Sequence, residues 1–303
     1  MADRIGFAGL GTMGGPIAAR LVGAGHDVTV YNRSAGKATA LAARGATVAD
    51  DPAQLAQHCD VVFGCLLDDA AIRAVYLGED GLLSHARQGQ VFVEHGTFSA
   101  GLRGEVEERA ASRGAVFVDG PVTGGPEGAR AGTLVCMAGG PEDVIARLRP
   151  LMLAYSTDVV RAGPAGAGLR LKVVNQLLVS CHAAAAGLGV ALLRATGIPL
   201  TAAADVLNNG WAASTMLRRA LDAASSDDPA TTSGAPVRTL LSVRTAIEPA
   251  LAEADIDSAV YSAAARLLTD AEQAGHGGMD ISRLFTVLGR SFAVSQSRGK
   301  EFA

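Results

Sequence analysis

The stretch GFAGLGTMGGPIAARL, residues 6–21, constrains the fold more than any other part of the sequence. An apolar run leads into it and an amphipathic helix pattern leads out of it, yet Gly9, Gly11, Gly14 and Gly15 lie in between. Glycine loses more backbone freedom on folding than any other residue, so such a cluster indicates a chain that turns sharply or lies close to another group. The sequence therefore predicts a tight turn between a strand and a helix.

Three of these glycines have the spacing Gly-x-Gly-x-x-Gly, which is typical of dinucleotide-binding turns. In such a turn Gly9 permits the bend, Gly11 lets a pyrophosphate approach the backbone, and Gly14 lets the helix pack closely on the strand. The N–H groups that open the helix then face the phosphates. We expect a dinucleotide site here; a tight turn that binds nothing is the simpler alternative.

The chain divides into two parts of different character. From residue 4 to residue 162, short apolar segments alternate with helical patterns, which predicts a parallel sheet covered by helices on both faces. Leu169–Thr196 has no proline, few charges and many Ala, Leu and Val residues, which predicts a long core helix buried nearly all round. The expected fold is an α/β Rossmann-type N-terminal domain, residues 1–162, followed by an all-α C-terminal domain, residues 163–303.

The composition excludes several classes of protein. The formal net charge is -4, which gives no reason to expect a nucleic-acid partner. The apolar run VVFGCLL stops at Asp68, far short of the roughly 20 residues of a membrane span. The four cysteines have no C-x-x-C spacing, the histidines form no H-E-x-x-H motif, and the N-terminal residues lack a leader pattern. We expect a cytoplasmic protein with no metal site and no membrane partner.

The choice of coenzyme depends on the end of the second predicted strand, where an acidic side chain would bind the 2′-hydroxyl of NAD. This chain has Asn32, Arg33 and Ser34 there. No carboxylate here would repel a 2′-phosphate, and the planar, permanently charged guanidinium of Arg33 can bind such a phosphate. The sequence therefore predicts NADP(H), although Arg33 as a solvated loop arginine is the alternative.

Two further segments carry chemistry. DGPVTGG, residues 119–125, follows a strand and so lies at the carboxyl edge of the sheet, where ligands bind in such folds. Thr123 and the N–H groups of Gly124 and Gly125 are predicted to form a small anion-binding concavity.

The second segment is GLRLKVVN, residues 168–175, in which Lys172 and Asn175 share one face of the long helix. A lysine in so apolar a helix needs a partner or a function. Desolvation lowers the pKa of a lysine and suits it to proton transfer near neutral pH. A lysine whose amine extends from a core helix to solvent is the alternative interpretation.

Together these motifs resemble the β-hydroxyacid dehydrogenase family. The resemblance covers nearly the whole chain, from GFAGLGTMGGPIA through DGPVTGGPEGARAGTL and GLRLKVVN to AGHGGMDIS at residues 274–282. It implies a Rossmann-type domain, a helical domain, and an active site in the cleft between them. It also implies hydride transfer between NADPH and a small hydroxyacid or aldehyde-acid pair.

The resemblance assigns roles to single residues. It implies that Lys172 is the catalytic acid–base, that Asn175 orients the substrate, that Thr123, Gly124 and Gly125 hold the substrate carboxylate, and that Thr97 lies near nicotinamide and substrate. The candidate coenzyme-binding residues are Gly9, Gly11, Thr12, Met13, Gly14, Asn32, Arg33, Ser34, Leu66 and Thr97.

The chain departs from the family pattern at two places. Where the family has D-x-S-T, this sequence has EHGT, residues 94–97, and His95 is interpreted as a strand-end histidine rather than a second polar contact in the cleft. Where the family has a Lys-Asp pair, this sequence has Thr245-Ala246, and Arg244 is an adjacent substitute. Trp211 and Met216 are more consistent with core than with cleft.

Two rival functions remain open. Imine or other carbonyl reductases share the architecture, and the lost Lys-Asp pair leaves room for such a substrate. A protein that binds NADPH without catalysis is the less favoured rival, because Lys172 is present. The long apolar helix also predicts a homo-oligomer, most simply a homodimer.

Overall fold

The computed structural model describes residues 3–226 and 234–288. The chain forms two compact units, Met1–Lys172 and Val173–Ala303. The domain boundary predicted after residue 162 falls earlier than this division, because the first turn of the long helix belongs to the N-terminal unit.

A mixed sheet of nine strands organises the described part of the N-terminal unit. Its strands are β1 (Ile5–Ala8), β2 (Val28–Tyr31), β3 (Thr47–Val48), β4 (Val61–Gly64), β5 (Val91–Glu94), β6 (Val116–Asp119), β7 (Val122–Thr123), β8 (Leu134–Gly139) and β9 (Ser156–Gly163).

The strand order is β3-β2-β1-β4-β5-β6-β8-β7, with β9 beside β8. Strands β1 to β6 pair in parallel, and in the register of β1 with β4, Ile5 lies opposite Val61. The expectation of a wholly parallel sheet is wrong at β8, which runs antiparallel to β6 and β7. A parallel crossover needs a dozen or more residues, and only residues 124–133 separate β7 from β8.

Helices cover both faces of this sheet, as the alternating pattern predicts. They are α1 (Gly14–Gly23), α2 (Thr39–Ala42), α3 (Pro52–His58), α4 (Asp69–Ile72), α5 (Ala100–Ala111), α6 (Gly125–Ala131) and α7 (Glu142–Met152). A 3₁₀ turn, Ala35–Lys37, follows β2, and a π-helical turn, Arg73–Leu77, continues α4. The two faces bury separate apolar clusters, one around Phe7 and Phe63 and the other around Tyr76 and Phe92.

The rest of the described chain is helical. Its helices are α8 (Ala167–Thr196), α9 (Leu200–Leu207), α10 (Thr215–Ala224), α11 (Val237–Ser242), α12 (Arg244–Glu253) and α13 (Ala259–Ala271). Helix α8 begins in the N-terminal unit and continues into the C-terminal unit. The helical character of the second half is therefore confirmed.

The burial of α8 differs from the prediction. Its residues Ala183 and Val190 are buried, but Val174, Leu178, Leu188 and Leu192 are exposed, the last by 63%. At 100° per residue these four exposed side chains share one face. The expectation of burial nearly all round is wrong, because the described residues cover only the other faces of this helix.

By length and composition alone, α8 is the one described helix that could cross a membrane, with a mean hydropathy of 1.7 over its most apolar window. The long core helix of a soluble protein meets the same criterion. This finding is weak evidence for a membrane span, since it uses nothing but length and apolar content.

The interpretation of Trp211 as core is wrong. This side chain is fully exposed and follows the turn at Asn208-Asn209-Gly210, where none of the described elements packs over it. Met216 is different: it packs against the apolar clusters of the helical unit.

Candidate active site

The glycine turn joins β1 to α1, and each glycine meets a different constraint. Gly9 has φ of +95°, a conformation that L side chains rarely adopt. A Cβ atom on Gly14 would overlap the carbonyl oxygen of Gly9, so helix and strand pack too closely for any side chain. A Cβ on Gly11 would meet nothing within 4 Å. A pyrophosphate-binding turn requires a bend at the first glycine, open space at the second and close packing at the third. Gly9, Gly11 and Gly14 meet these three requirements in turn.

Asn32, at the end of β2, holds this turn in place. Its Oδ1 accepts a hydrogen bond from the N–H of Leu10 at 2.8 Å, and its Nδ2 donates to the carbonyl oxygen of Ser34 at 3.0 Å. The side chain is therefore engaged in positioning the turn, a role that the sequence pattern did not suggest. Thr12 is exposed, and Met13 is half-buried at the start of α1.

The surface beside this turn is strongly basic. Arg33 is exposed and, within the described residues, forms no hydrogen bond or ion pair. A groove of about 480 Å³ lies between α1, α2 and α6, and no carboxylate lines it. Its cations are Arg20, Lys37, Arg44 and Arg130. Lys37 is the addition that sequence reasoning missed, although it lies only four residues after Arg33.

Glu94 joins the chain segments that leave β4 and β5. Its carboxyl is fully buried, and Oε1 accepts hydrogen bonds from the N–H of Leu66 at 3.0 Å and of Gly96 at 2.6 Å. Burial raises the pKa of Glu94 to about 7, although these hydrogen bonds oppose the shift. Thr97, one residue further, is half-buried at the carboxyl edge of the sheet. Leu66 follows β4 and Thr97 follows β5, its neighbour in the sheet, and the carboxyl of Glu94 connects the two segments.

His95 has no free polar atom. Its Nδ1 lies 2.5 Å from the carbonyl oxygen of Gly120, its Nε2 lies 3.0 Å from the hydroxyl of Tyr155, and its ring stacks on Phe63. Burial lowers the pKa of His95 to about 4, so the ring is neutral at neutral pH. The carbonyl partner fixes the proton on Nδ1, and the Tyr155 hydroxyl donates to Nε2. This geometry agrees with the interpretation of His95 as a strand-end structural residue.

Asp119, the last residue of β6, caps the first turn of α8. Its Oδ1 accepts from the N–H of Gly166 at 2.6 Å, and its Oδ2 accepts from the N–H of Leu169 at 2.9 Å. Burial raises the pKa of Asp119, and the two backbone donors oppose that shift. A Cβ on Gly168 would collide with the carbonyl oxygens of Met137 and Asp119. The glycine of the GLRLK motif is thus required because the helix starts directly against two strand ends.

Lys172 lies one turn further along α8 and is half-buried. Its Nζ donates a hydrogen bond to the carbonyl oxygen of Val122 at 2.8 Å. Burial lowers the pKa of Lys172 to about 8, and within the described residues the ammonium forms no ion pair that would oppose this shift. The result is a cation that holds and releases a proton near neutral pH.

The residue beside Val122 is Thr123, so the lysine contacts the segment that was predicted to bind an anion. Thr123 is half-buried and ends β7. Gly124 has φ of +125° and Gly125 has φ of +68°, so two consecutive residues adopt conformations that exclude most side chains. The backbone at Gly124 and Gly125 therefore turns tightly next to Lys172.

Two other candidates lie in the C-terminal unit. Asn175 follows Lys172 by three residues on α8, and its amide donates to the side chain of Gln176 at 3.0 Å. Arg244, the proposed substitute for the missing Lys-Asp pair, is held by Glu248 at 2.7 Å and donates to Thr269 at 3.0 Å. Its charge is already compensated within the helical unit.

Comparison with known proteins finds matches along most of the chain. Residues 4–163 match the model of the NAD binding domain of 6-phosphogluconate dehydrogenase, and residues 166–288 match that of the NAD-binding region of NADP-dependent 3-hydroxyisobutyrate dehydrogenase. The 3-hydroxyisobutyrate dehydrogenase of Pseudomonas aeruginosa is 35% identical over 67% of this chain and 68% of its own length. The chain belongs to the β-hydroxyacid dehydrogenase family.

Solved structures extend the comparison to nearly the whole chain. One described as Psf3 in complex with NADP+ and 2-OPP has a TM-score of 0.83 and 28% identity, and the match covers 94% of this chain and 99% of that one. An imine reductase from Pseudomonas sp. has a TM-score of 0.61 and 21% identity over 95% of this chain and all of its own, a likeness of fold alone. As a member of the family, the protein is an NAD(P)-dependent oxidoreductase that acts on CH–OH groups.

Replacement of the α8 cap tests how the site is positioned. We expect Asp119→Ala to lower the free energy of unfolding by about 1–3 kcal/mol, because the N–H groups of Gly166 and Leu169 lose their acceptor in a buried place. The control is Asp51→Ala, which removes the half-buried side-chain cap of α3. Urea denaturation of both variants makes the comparison. A smaller loss for Asp119→Ala than for Asp51→Ala would contradict the importance of this cap.

Proposed function

We propose that this dehydrogenase transfers a hydride between NADPH and a small β-hydroxyacid or aldehyde-acid pair, of the 3-hydroxyisobutyrate or semialdehyde type. Lys172 is the general acid–base in this proposal. The observation that carries it is the Lys172 ammonium, which is half-buried, has a pKa lowered to about 8, and donates to Val122 next to Thr123.

Bound NADPH supplies the hydride to the carbonyl carbon. Negative charge then develops on the carbonyl oxygen, and Lys172 stabilises that charge and donates a proton to it. An ammonium has three N–H donors, so the hydrogen bond to Val122 leaves two for the substrate. In the oxidative direction the neutral amine removes the hydroxyl proton, while one of its two N–H groups keeps the bond to Val122.

The residues around Lys172 have supporting roles in this proposal. The turn at Thr123, Gly124 and Gly125 binds the substrate carboxylate, because it places backbone beside a cation without intervening side chains. Asn175, one turn along α8, orients the substrate. Both assignments follow from the family resemblance.

The preference for NADP(H) rests on charge. Arg33 is exposed and unpaired among the described residues, and the adjacent groove carries four cations and no carboxylate. A dianionic 2′-phosphate provides the counter-charge that this surface lacks. The solved NADP+ complex of a 28% identical protein supports the same choice.

An imine substrate is the second candidate. It is favoured by one observation, the replacement of the family Lys-Asp pair by Thr245-Ala246, with Arg244 already paired to Glu248. Steady-state assays with NADPH against short aldehyde acids and against cyclic imines separate the two candidates. Turnover of imines alone would exclude the hydroxyacid assignment.

A homodimer is also proposed, because α8 presents an apolar stripe that residues 3–226 and 234–288 leave exposed. The stripe consists of Val174, Leu178, Leu188 and Leu192. Apolar patches of this kind on soluble proteins mark interaction sites, and a twofold-related copy presents the same stripe in return.

Replacement of Lys172 tests the mechanism. We expect Lys172→Ala to lower kcat at least about a hundredfold, the usual contribution of general acid catalysis, while the NADPH dissociation constant changes less than about threefold. Lys172→Arg keeps the charge but cannot release a proton, and it should lose activity as well. Arg170→Ala, an exposed cation on the same helix, is the control.

The pH profile completes this test. Because Lys172 has a pKa of about 8, kcat/KM for aldehyde reduction should fall above pH 8, where the ammonium loses its proton. The oxidative kcat/KM should rise with pH up to the same value. Near-normal turnover of Lys172→Ala, or a profile that Lys172→Arg leaves unchanged, would refute the assignment.

Replacement of Arg33 tests the coenzyme preference. Arg33→Ala should raise KM for NADPH about tenfold or more, since a charge-assisted hydrogen bond of about 1.5–3 kcal/mol is lost, and should leave KM for NADH unchanged. Arg113→Ala removes an exposed arginine after α5 and serves as the control. Initial rates with both reduced coenzymes give the answer, and a wild-type preference for NADH would refute the proposal.

Light scattering at micromolar concentration tests the dimer. The wild-type protein should have twice the monomer mass or more, and Leu188→Glu with Leu192→Glu should reduce it to a monomer, because four charges would be buried across the interface. Leu153→Glu, at an exposed apolar position of the N-terminal unit, is the control. A monomeric wild type, or one that sediments with membranes, would contradict the dimer.

A further inference from the structure

Glu94 is a buried acid that the proposed mechanism does not use. It ends β5, and its side chain is completely inaccessible. Both hydrogen bonds to its Oε1 come from backbone N–H groups, those of Leu66 and Gly96. Its Oε2 faces the hydroxyl of Tyr76, which lowers the pKa of the carboxyl, and no cation pairs with it among the described residues. Such a carboxyl is costly to bury, so its position needs a reason.

The surroundings of this carboxyl leave space for it and for nothing else. A Cβ on Gly64 would overlap Glu94 Oε2, and a Cβ on Gly96 would lie 2.7 Å from Oε1. Neither glycine has a positive φ, so the backbone conformation does not require glycine at either position. The carboxyl of Glu94 and the hydroxyl of Tyr76 exclude a side chain at Gly64, whereas at Gly96 the carbonyl oxygen of Leu66, 2.6 Å from such a Cβ, excludes one together with the carboxyl.

Within the part of the chain that the structure describes, no positive group compensates the charge of this carboxyl. The hydroxyl of Tyr76, from the turn after α4, and the thiol of Cys65, after β4, are the titratable groups that face it. His95 is turned away toward Gly120. The two N–H groups and the hydroxyl of Tyr76 are the interactions that hold the carboxyl. The carboxyl in turn links Leu66 to Gly96, beyond the backbone hydrogen bond from His95 to Gly64 that joins the ends of the two strands.

We propose that Glu94 is a positioning residue for the coenzyme, which fixes the segments after β4 and β5 through the N–H groups of Leu66 and Gly96. These segments carry Leu66 and Thr97 at the carboxyl edge of the sheet, beside the glycine turn after β1, because β1 and β5 both pair with β4. The inference rests on the proposed coenzyme site. It assigns Glu94 to coenzyme binding and leaves proton transfer to Lys172.

Loss of this acceptor has a specific consequence. Without it, two buried N–H groups lack a partner, and the segments after β4 and β5 separate to reach water. The coenzyme then binds to a less ordered surface and must order it. The affinity for the coenzyme falls, while kcat of the enzyme that has bound coenzyme is little changed.

The experiment compares Glu94→Ala, Glu94→Gln and Gln90→Ala. Gln90 is the matched control, since it precedes β5, is equally buried, and donates to the carbonyl oxygens of Ala56 and Cys59 at the opposite end of the strand. The readouts are the NADPH dissociation constant from fluorescence titration, KM for NADPH, kcat, and the thermal midpoint.

We expect Glu94→Ala to raise the NADPH dissociation constant and KM at least tenfold, with kcat at saturating coenzyme within threefold of wild type. For Glu94→Gln the NADPH dissociation constant, KM and kcat should each stay within threefold of wild type, because the amide oxygen accepts the hydrogen bonds from both N–H groups. Gln90→Ala should lower the thermal midpoint and leave the dissociation constant unchanged.

An NADPH dissociation constant within twofold of wild type for Glu94→Ala, with a thermal midpoint lowered as in Gln90→Ala, would overturn the proposal. If Glu94→Ala does not fold, Gly64→Ala replaces it, since the added methyl group displaces the carboxyl; unchanged affinity there would also refute the role. Binding is measured without substrate, so a wild type that binds NADPH but reduces no aldehyde acid refutes only the proposed reaction. A wild type that binds neither NADPH nor NADH refutes both.

Discussion

The two hydrogen bonds from the first turn of α8 to Asp119 are the constraint on which the candidate site depends. A helix that starts inside a protein has N–H groups without intrahelical partners, and here a carboxylate at the end of β6 accepts two of them. Because Gly168 lets the helix touch the strand ends, the start of α8 has little freedom. Lys172 lies one turn further, and its bond to Val122 fixes the ammonium beside the Thr-Gly-Gly turn.

Asp119 has a counterpart in the neighbouring strand. Glu94 and Asp119 lie opposite each other in the register of β5 and β6, and each buried carboxyl accepts hydrogen bonds from two backbone N–H groups. The donors to Asp119 belong to the start of α8, and those to Glu94 belong to the segments that leave β4 and β5. Backbone donors compensate much of the cost of burying these acids without adding a cation. As a result, the basic side chains near the sheet edge, Lys172 and Arg33, are not neutralised by either of them.

The amino-acid sequence predicted the parts of this arrangement that depend on local pattern. The spacing of Gly9, Gly11 and Gly14 predicted the turn, because bending, open approach and close packing each exclude side chains at fixed positions. An apolar helix interrupted by Lys172 predicted a lysine with a lowered pKa, because burial acts on any ammonium. Strands β3 and β9 and helices α3 and α6 were not predicted. Strand β3 has only two residues, and β9, with the sequence STDVVRAG, has neither a continuous apolar run nor a strict alternation of polar and apolar residues.

By itself, then, the sequence determined the dinucleotide fold, the helical second half and the lowered pKa of Lys172. Each of these follows from a periodicity, a spacing or a local apolar surrounding that can be read along one segment. Only the tertiary structure decided what the buried polar groups do. It engaged Asn32 in holding the glycine turn, joined Arg244 to Thr269, and placed both nitrogens of His95 in internal hydrogen bonds. It also left one face of α8 uncovered. The physical reason is that a hydrogen bond depends on which atoms from distant segments meet, and no pattern along one segment records that.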